Sequence, residues 1–194
     1  MNFLKILICL FYNCNSYIIV KETYNFYNKI TLAYINNIYI NNTYWIRNIL
    51  YNNIKNNLIL YKSNNIIIIK DAAFINNQFY VLAIPYIKLN TIRDLSSKHL
   101  LLLYEMKLTI INIAKLYNIK SNELYIYFHY HPSYYHLHLH GCISNHSLLD
   151  SRYLRHFFID DIIENIQSNS TYYKYKTLTF ELKSNNPLLK LFEI

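Results

Sequence analysis

The chain predicts an α+β domain with a mainly antiparallel sheet and flanking helices. Short runs of β-branched and aromatic residues follow one another in series, bounded by Asn and Pro. Helical periodicity is confined to separate stretches, the longest ending near Asn118. A length of 194 residues suffices for one domain with a sizeable core and is short for two.

The elements follow in order. Thr43 is a candidate N-cap, its hydroxyl able to accept from the first turn of a short helix over 44–53. Residues 58–61, 66–70 and 78–84 read as strands of a meander. Pairs of Asn supply the turns, because Asn tolerates the left-handed region and the chain holds a single Gly. Ser96 or Ser97 caps the long helix, in which Leu100, Leu103, Tyr104, Leu108, Ile111 and Leu116 recur at near-helical spacing as the buried face. Residues 123–131 form a strand alternating Leu124, Ile126 and Phe128 with Tyr125, Tyr127 and His129. Residues 132–135 make a bend, and another strand follows. A second helix over about 148–166, a strand over 172–182 and a short helix after Pro187 complete the domain. There are no internal repeats.

The strand after the bend carries the chemistry. His136, His138 and His140 alternate with Leu137 and Leu139, so the imidazoles share one face and the leucines pack behind them. Three readings compete. The first is chance clustering, and the second a metal site, imidazole being the commonest metal ligand. The third is a triad in which the central His attacks phosphorus while its neighbours bind phosphate oxygens, splitting the transfer into two easier steps. Spacing alone does not separate the last two.

The surrounding residues do. His129-Tyr130, then Pro132-Ser133-Tyr134-Tyr135-His136-Leu137-His138-Leu139-His140, resembles the signature of the scavenger mRNA decapping enzymes. That branch of the histidine-triad superfamily hydrolyses the 7-methylguanosine cap dinucleotide left after mRNA decay. Upstream, Ile30-Thr31-Leu32, Trp45 with Asn48-Ile49-Leu50, and Ile92-Arg93-Asp94-Leu95 are similar to the family. So, downstream, are Ile162-Ile163-Glu164-Asn165, Thr177-Leu178-Thr179-Phe180 and Pro187-Leu188-Leu189-Lys190-Leu191. The resemblance covers about residues 20–194.

It implies a histidine-triad domain over 45–194, preceded by a remnant of an N-terminal region and hinge over 21–44 and an unassigned segment over 1–20. His138 is the implied nucleophile, forming a covalent intermediate. His136 and His140 would donate to non-bridging oxygens or hold the ring of His138 in its productive tautomer. His129, Ser133, Tyr134 and Arg155 fall at phosphate-contacting positions, and Arg matches phosphate geometry bidentately. Trp45 falls at the position that stacks on the cationic 7-methylguanine ring, and Asp71 at an acidic position of the cap pocket. His131, His146 and His156 lie outside the pattern and are assigned structural roles. The chain departs from the family at Lys55, where an acidic residue reads the guanine edge, and at Ala72 and Ala73, which replace an apolar residue and a lysine. Lys70 is a candidate replacement for that charge. The implied substrate is a cap dinucleotide or short capped RNA fragment, with no metal or cofactor, in a homodimer of the cytoplasm or nucleus. The alternatives are a broader dinucleoside polyphosphate hydrolase, a cap-binding module with little turnover, and a zinc protein.

Composition adds limits. The formal charge of +8 suits an anionic partner. Abundant Asn, Ile, Lys and Tyr are what an A/T-rich coding sequence supplies, so the charge carries little weight. Cys9, Cys14 and Cys142 show no CxxC spacing or even framework, which points to reduced, non-catalytic thiols. No run has the length of a transmembrane helix. The apolar stretch over 6–12 after Lys5 lacks a small-residue cleavage site and is read as a docking segment rather than a signal peptide.

Overall fold

A computed structural model describes residues 17–51, 58–71, 74, 78–143 and 153–192. Lys55, Ala72, Ala73, His146, Cys9, Cys14 and the apolar stretch over 6–12 lie outside the described residues.

The architecture is α+β, as expected. Strand β1 (Tyr17–Glu22) leads into α1 (Tyr24–Phe26), a π-helical turn (Tyr27–Thr31), α2 (Leu32–Asn42) and α3 (Tyr44–Tyr51). The meander comprises β2 (Ile59–Lys62), β3 (Ile66–Lys70) and β4 (Tyr80–Pro85). A long α4 (Leu100–Leu116) connects to β5 (Leu124–His129), which turns into β6 (Leu139–Ile143). Then come β7 (His156–Phe158), α5 (Ile159–Ser168), α6 (Tyr172–Tyr175), β8 (Leu178–Lys183) and a closing 3-10 helix (Pro187–Leu191). Six strands form an antiparallel sheet in the order β2-β3-β4-β6-β5-β7, and β1 pairs with β8 in a separate ribbon.

The pleat divides the sheet into two faces. On one, Val81, Ala83, Leu139, Ile126 and Phe128 join α4, α5 and the β1–β8 ribbon in the main core. On the other, Ile67, Ile69, Leu82, Ile84 and Tyr127 pack against Ile46, Ile49 and Leu50 of α3. The chain's single glycine, Gly141, lies under α4, where a Cβ would stand 2.5 Å from Ile110 Cγ2. Its neighbour His140 therefore faces away, toward the α3 side.

Several expectations need correction. The second helix begins at Ile159, because residues 156–158 pair with β5 instead; residues 144–152 lie outside the described part. The strand expected over 172–182 opens as α6, whose first residues follow the Asn169 turn, and becomes extended only at Leu178. The bend runs past Tyr135, and the ladder starts at Leu139. Thr43 caps no first turn in the way expected: its hydroxyl donates to the Tyr39 carbonyl, 2.7 Å, tying α3 to α2. The buried stripe of α4 is Leu103, Met106, Ile110, Ile113 and Ala114, while Leu101, Leu108 and Leu116 are exposed. Apolar residues lie on nearly every side of that helix, so periodicity admitted more than one stripe.

Candidate active site

The approach to the triad is pinned by backbone. Asn42 of α2 clamps the bend, its Nδ2 donating to the Ser133 carbonyl (2.9 Å) and its Oδ1 accepting from the Tyr135 N–H (2.6 Å). The Leu137 N–H donates to the Leu89 carbonyl at 2.6 Å, so residues 136–138 follow the loop leaving β4 before joining the ladder. Leu137 and Leu139 sink into the main core. The intervening histidines turn the other way, and all three are buried, His136 at 3% and His138 and His140 at 6% exposure.

Each imidazole has one nitrogen held. His138 Nδ1 lies 2.7 Å from the His136 carbonyl. A carbonyl only accepts, so Nδ1 carries the proton and Nε2 keeps its lone pair. Backbone, not a neighbouring side chain, thus sets the tautomer of the central histidine. By the same reasoning His136 Nε2 donates to the Pro85 carbonyl at 2.8 Å, which leaves its buried Nδ1 as an unpartnered lone pair. In its neutral form His136 therefore accepts at its open nitrogen rather than donating. His140 Nδ1 lies 2.9 Å from the Tyr80 hydroxyl, and its buried Nε2 has no partner.

Burial lowers the pKa of all three. It takes His138 to about 4, with the nearby charge of His136 adding to the effect. His140 falls well below the imidazole range, through burial first and then through its electrostatic coupling to His129, His138, His156 and Arg155. His136 is lowered by burial, with Lys88 contributing. At neutral pH all three are uncharged, the state a nitrogen nucleophile requires.

A second ring of side chains encloses His140. The Tyr127 ring lies parallel to it at 5.3 Å, and the Tyr80 ring meets it edge-on. The two tyrosine hydroxyls are 3.1 Å apart. His129 sits 4.3 Å from the His140 ring and opposite His156, on which it stacks at 5.2 Å. His156 itself lies 4.2 Å from the Tyr127 ring. Arg155 donates to the His131 carbonyl at 2.8 Å, which anchors its guanidinium at the bend. His131 points elsewhere, to buried Glu22, in keeping with a structural role.

Of the remaining expected residues, Trp45 lies on α3 and Tyr134 packs against it, while Ser133 and Asp71 lie elsewhere. The Trp45 ring meets Tyr134 edge-on at 5.0 Å, and its buried Nε1 has no partner. Tyr134 is thus brought to the aromatic platform, with Ser133 exposed beside it. Asp71 lies one residue beyond β3, where its N–H donates to the Tyr80 carbonyl at 3.0 Å. Among the described residues, no three His, Cys, Asp or Glu side chains are placed to hold a metal ion, and no helix is long and apolar enough to cross a membrane.

Tyr80 and Asn42 were not singled out by the sequence, Tyr127 was read only as part of a strand alternation, and His156 was assigned a structural role, whereas the structure sets it against His129. Tyr80 and Tyr127 are two tyrosines among 22, whose place in the site no local pattern marks. His156 could have been found only by pairing residue 129 with residue 156 across the sheet.

The family model described as scavenger mRNA decapping enzyme C-term binding matches residues 44–152, more than half of the chain. A Caenorhabditis elegans protein named m7GpppX diphosphatase is 31% identical over 183 residues, covering 90% of this chain and 58% of that protein. A Homo sapiens protein of the same name is 30% identical over 188 residues, covering 90% and 54%. The chain spans little more than half the length of these curated relatives. Among solved structures, a HIT family hydrolase from Legionella pneumophila Philadelphia 1 aligns with 52% of this chain and 91% of that one, at 19% identity and a TM-score of 0.44.

Proposed function

Because the chain belongs to the scavenger mRNA decapping enzyme family, we propose that it hydrolyses the 7-methylguanosine cap dinucleotide or short capped RNA fragments and releases 7-methyl-GMP. The observation that carries this reading is the His138 tautomer: a proton locked on Nδ1 by the His136 carbonyl leaves Nε2 as a buried, neutral nucleophile.

In this reading Nε2 attacks the phosphorus that bears the methylated nucleoside. An N–P bond forms, the P–O bond to the rest of the chain breaks, and a nucleoside diphosphate leaves. Water then attacks the same phosphorus, the N–P bond breaks, and a proton passes to solvent as 7-methyl-GMP departs. His140, His129 and Arg155 surround the position for the phosphate oxygens, where fixed donors act most strongly on developing charge. The open Nδ1 of His136 suits a hydroxyl or water as donor. The Trp45–Tyr134 pair offers aromatic faces to a cationic base. Ser133 beside it and Asp71 complete the binding set. A homodimer in the cytoplasm or nucleus belongs to the same reading.

The test is turnover of 7-methyl-GpppG beside GpppG and diadenosine polyphosphate, in excess chelator. Selective release of 7-methyl-GMP is expected. Equal cleavage of all three would replace the cap assignment with a broader dinucleoside polyphosphate hydrolase. Tight binding of the methylated dinucleotide without cleavage would make the chain a cap-binding module. Turnover that disappears in chelator would restore the metal reading.

A further inference from the structure

His140 poses a question that its sequence neighbours do not answer. A neutral imidazole has one N–H, and only a ring protonated at Nε2 can donate to an anionic oxygen. His138 and His136 each have a carbonyl to decide the matter. His140 has a hydroxyl, which can donate or accept. We infer that Tyr80 is a positioning residue, its hydroxyl donating to His140 Nδ1 and so placing the ring's one proton on Nε2, toward the substrate phosphate. This rests on the proposed phosphoryl chemistry for its purpose, though not for its geometry.

The reasoning follows the hydrogen bonds outward. The Tyr80 hydroxyl is 2.9 Å from His140 Nδ1 and 3.1 Å from the Tyr127 hydroxyl, which interacts in turn with the Cys142 thiol. Tyr80 is 5% exposed, Tyr127 1% and Cys142 0%, so water does not compete along this line. Two proton arrangements satisfy it. In one, Cys142 donates to Tyr127, Tyr127 to Tyr80, and Tyr80 to His140. In the other every bond reverses, and the line ends with Tyr127 donating to sulfur. Imidazole nitrogen is a good acceptor and sulfur a weak one. The first arrangement ends on the stronger acceptor and is favoured. It also gives Nε2 a proton to share with phosphate, whereas the second would aim a lone pair at an anion.

Protonation states agree. Burial pushes the Tyr127 hydroxyl far above its ordinary value, and burial takes the Cys142 thiol up to about 11. Both keep their protons at neutral pH and remain available as donors. The register makes the line: Tyr127 is paired directly with His140, and Tyr80 with Cys142. Three adjacent strands thus present these side chains on one face at two neighbouring levels.

The test reads the tautomer directly. The full chain is labelled with 15N-histidine, and long-range proton–nitrogen correlations at neutral pH are compared in wild type, Tyr80→Phe and Tyr127→Phe. The His138 Nδ1–H, held by a carbonyl, serves as internal reference. Expected is a single Nε2–H form of His140 in wild type and a mixture or an Nδ1–H form in Tyr80→Phe. Turnover of 7-methyl-GpppG should fall about 10–100-fold in kcat with little change in KM, less than loss of a whole transition-state donor. Tyr127→Phe should produce a smaller change in the same direction. An Nδ1–H form in wild type overturns the inference without any variant, so a Tyr80→Phe chain that fails to fold does not rescue it. An unchanged Nε2–H form in a folded Tyr80→Phe also overturns it. Wild type that turns over none of the dinucleotides would sink the proposed function while the tautomer still decides the role of Tyr80.

Discussion

Two buried clusters flank the bend at residues 130–136, and they use the same kinds of side chain to opposite ends. In the first, Glu22 is fully enclosed. Thr31 donates to its Oε1 at 2.7 Å, Arg93 Nε to its Oε2 at 3.0 Å, and Tyr130 donates to Oε2 as well, while His131 Nε2 lies 3.2 Å from Oε1. Arg93 spends its Nη1 on the carbonyls of Tyr173 and Lys176, both at 3.0 Å. In the second cluster, His136 Nδ1 and His140 Nε2 are buried without partners. An unpaired buried polar atom costs about 1–3 kcal/mol. Folding alone gives no reason to keep both in one strand segment, whereas the proposed substrate, by completing them, would. Saturated bonding marks the cluster that holds β1, the 92–94 turn and the bend together. Unsaturated bonding marks the one to which we assign the chemistry.

The sharpest break between the clusters is His138→Asn. Turnover should fall about 10^4-fold or more, since the proposed nucleophile is gone, while the thermal midpoint moves little. A large stability loss with residual activity would place His138 in the structural class instead. Arg93→Met is the reverse case. It strands the Glu22 charge in the interior and should cost about 3–5 kcal/mol by urea denaturation, with kcat per folded molecule near wild type.

Acid separates the clusters by pH window. Burial by itself would raise the Glu22 carboxyl, but His131, Arg93 and the Tyr130 hydrogen bond outweigh it and hold it at about 2 against an ordinary 4.5. Its contribution is complete above pH 4.5 and is lost as pH falls toward 2. His138, at about 4 against an ordinary 6.5, favours the folded state fully above pH 6.5 and loses that advantage as pH falls toward 4. Urea midpoints measured from pH 7 to 3 should therefore decline in two stages. His138→Asn should shrink the upper stage, to which His136 and His140 also contribute, and Glu22→Gln should flatten the lower. The smallest effect is expected at Gly141→Ala, where the added methyl meets the stiff, β-branched Ile110. A loss of about 1–3 kcal/mol is predicted, seen as a lower thermal midpoint with the tautomers of His138 and His140 unchanged.

Much of this is legible in the sequence alone. Strands such as Ile66–Lys70 announce themselves by β-branched runs between Asn turns, and the alternation of His with Leu states which side chains face together. What escaped depends on contacts distant in the chain. The stripe of α4 is chosen by what packs beneath it, Gly141 included, and not by its own apolar residues. The strand pairing of His156 with His129 and the line from Cys142 to His140 exist only once four strands are in register. Trp45 and Tyr134 were both placed by resemblance, Tyr134 at a phosphate-contacting position, and their pairing appears only in the fold.

The central claim, attack by His138 through a covalent intermediate, is tested most directly by the stereochemical course at phosphorus. A 7-methyl-GpppG carrying sulfur in place of one non-bridging oxygen at the phosphorus bearing the methylated nucleoside is hydrolysed in 18O water. Two successive in-line displacements, one by Nε2 and one by water, predict overall retention of configuration. Inversion would mean a single direct attack by water and would remove His138 from the role of nucleophile.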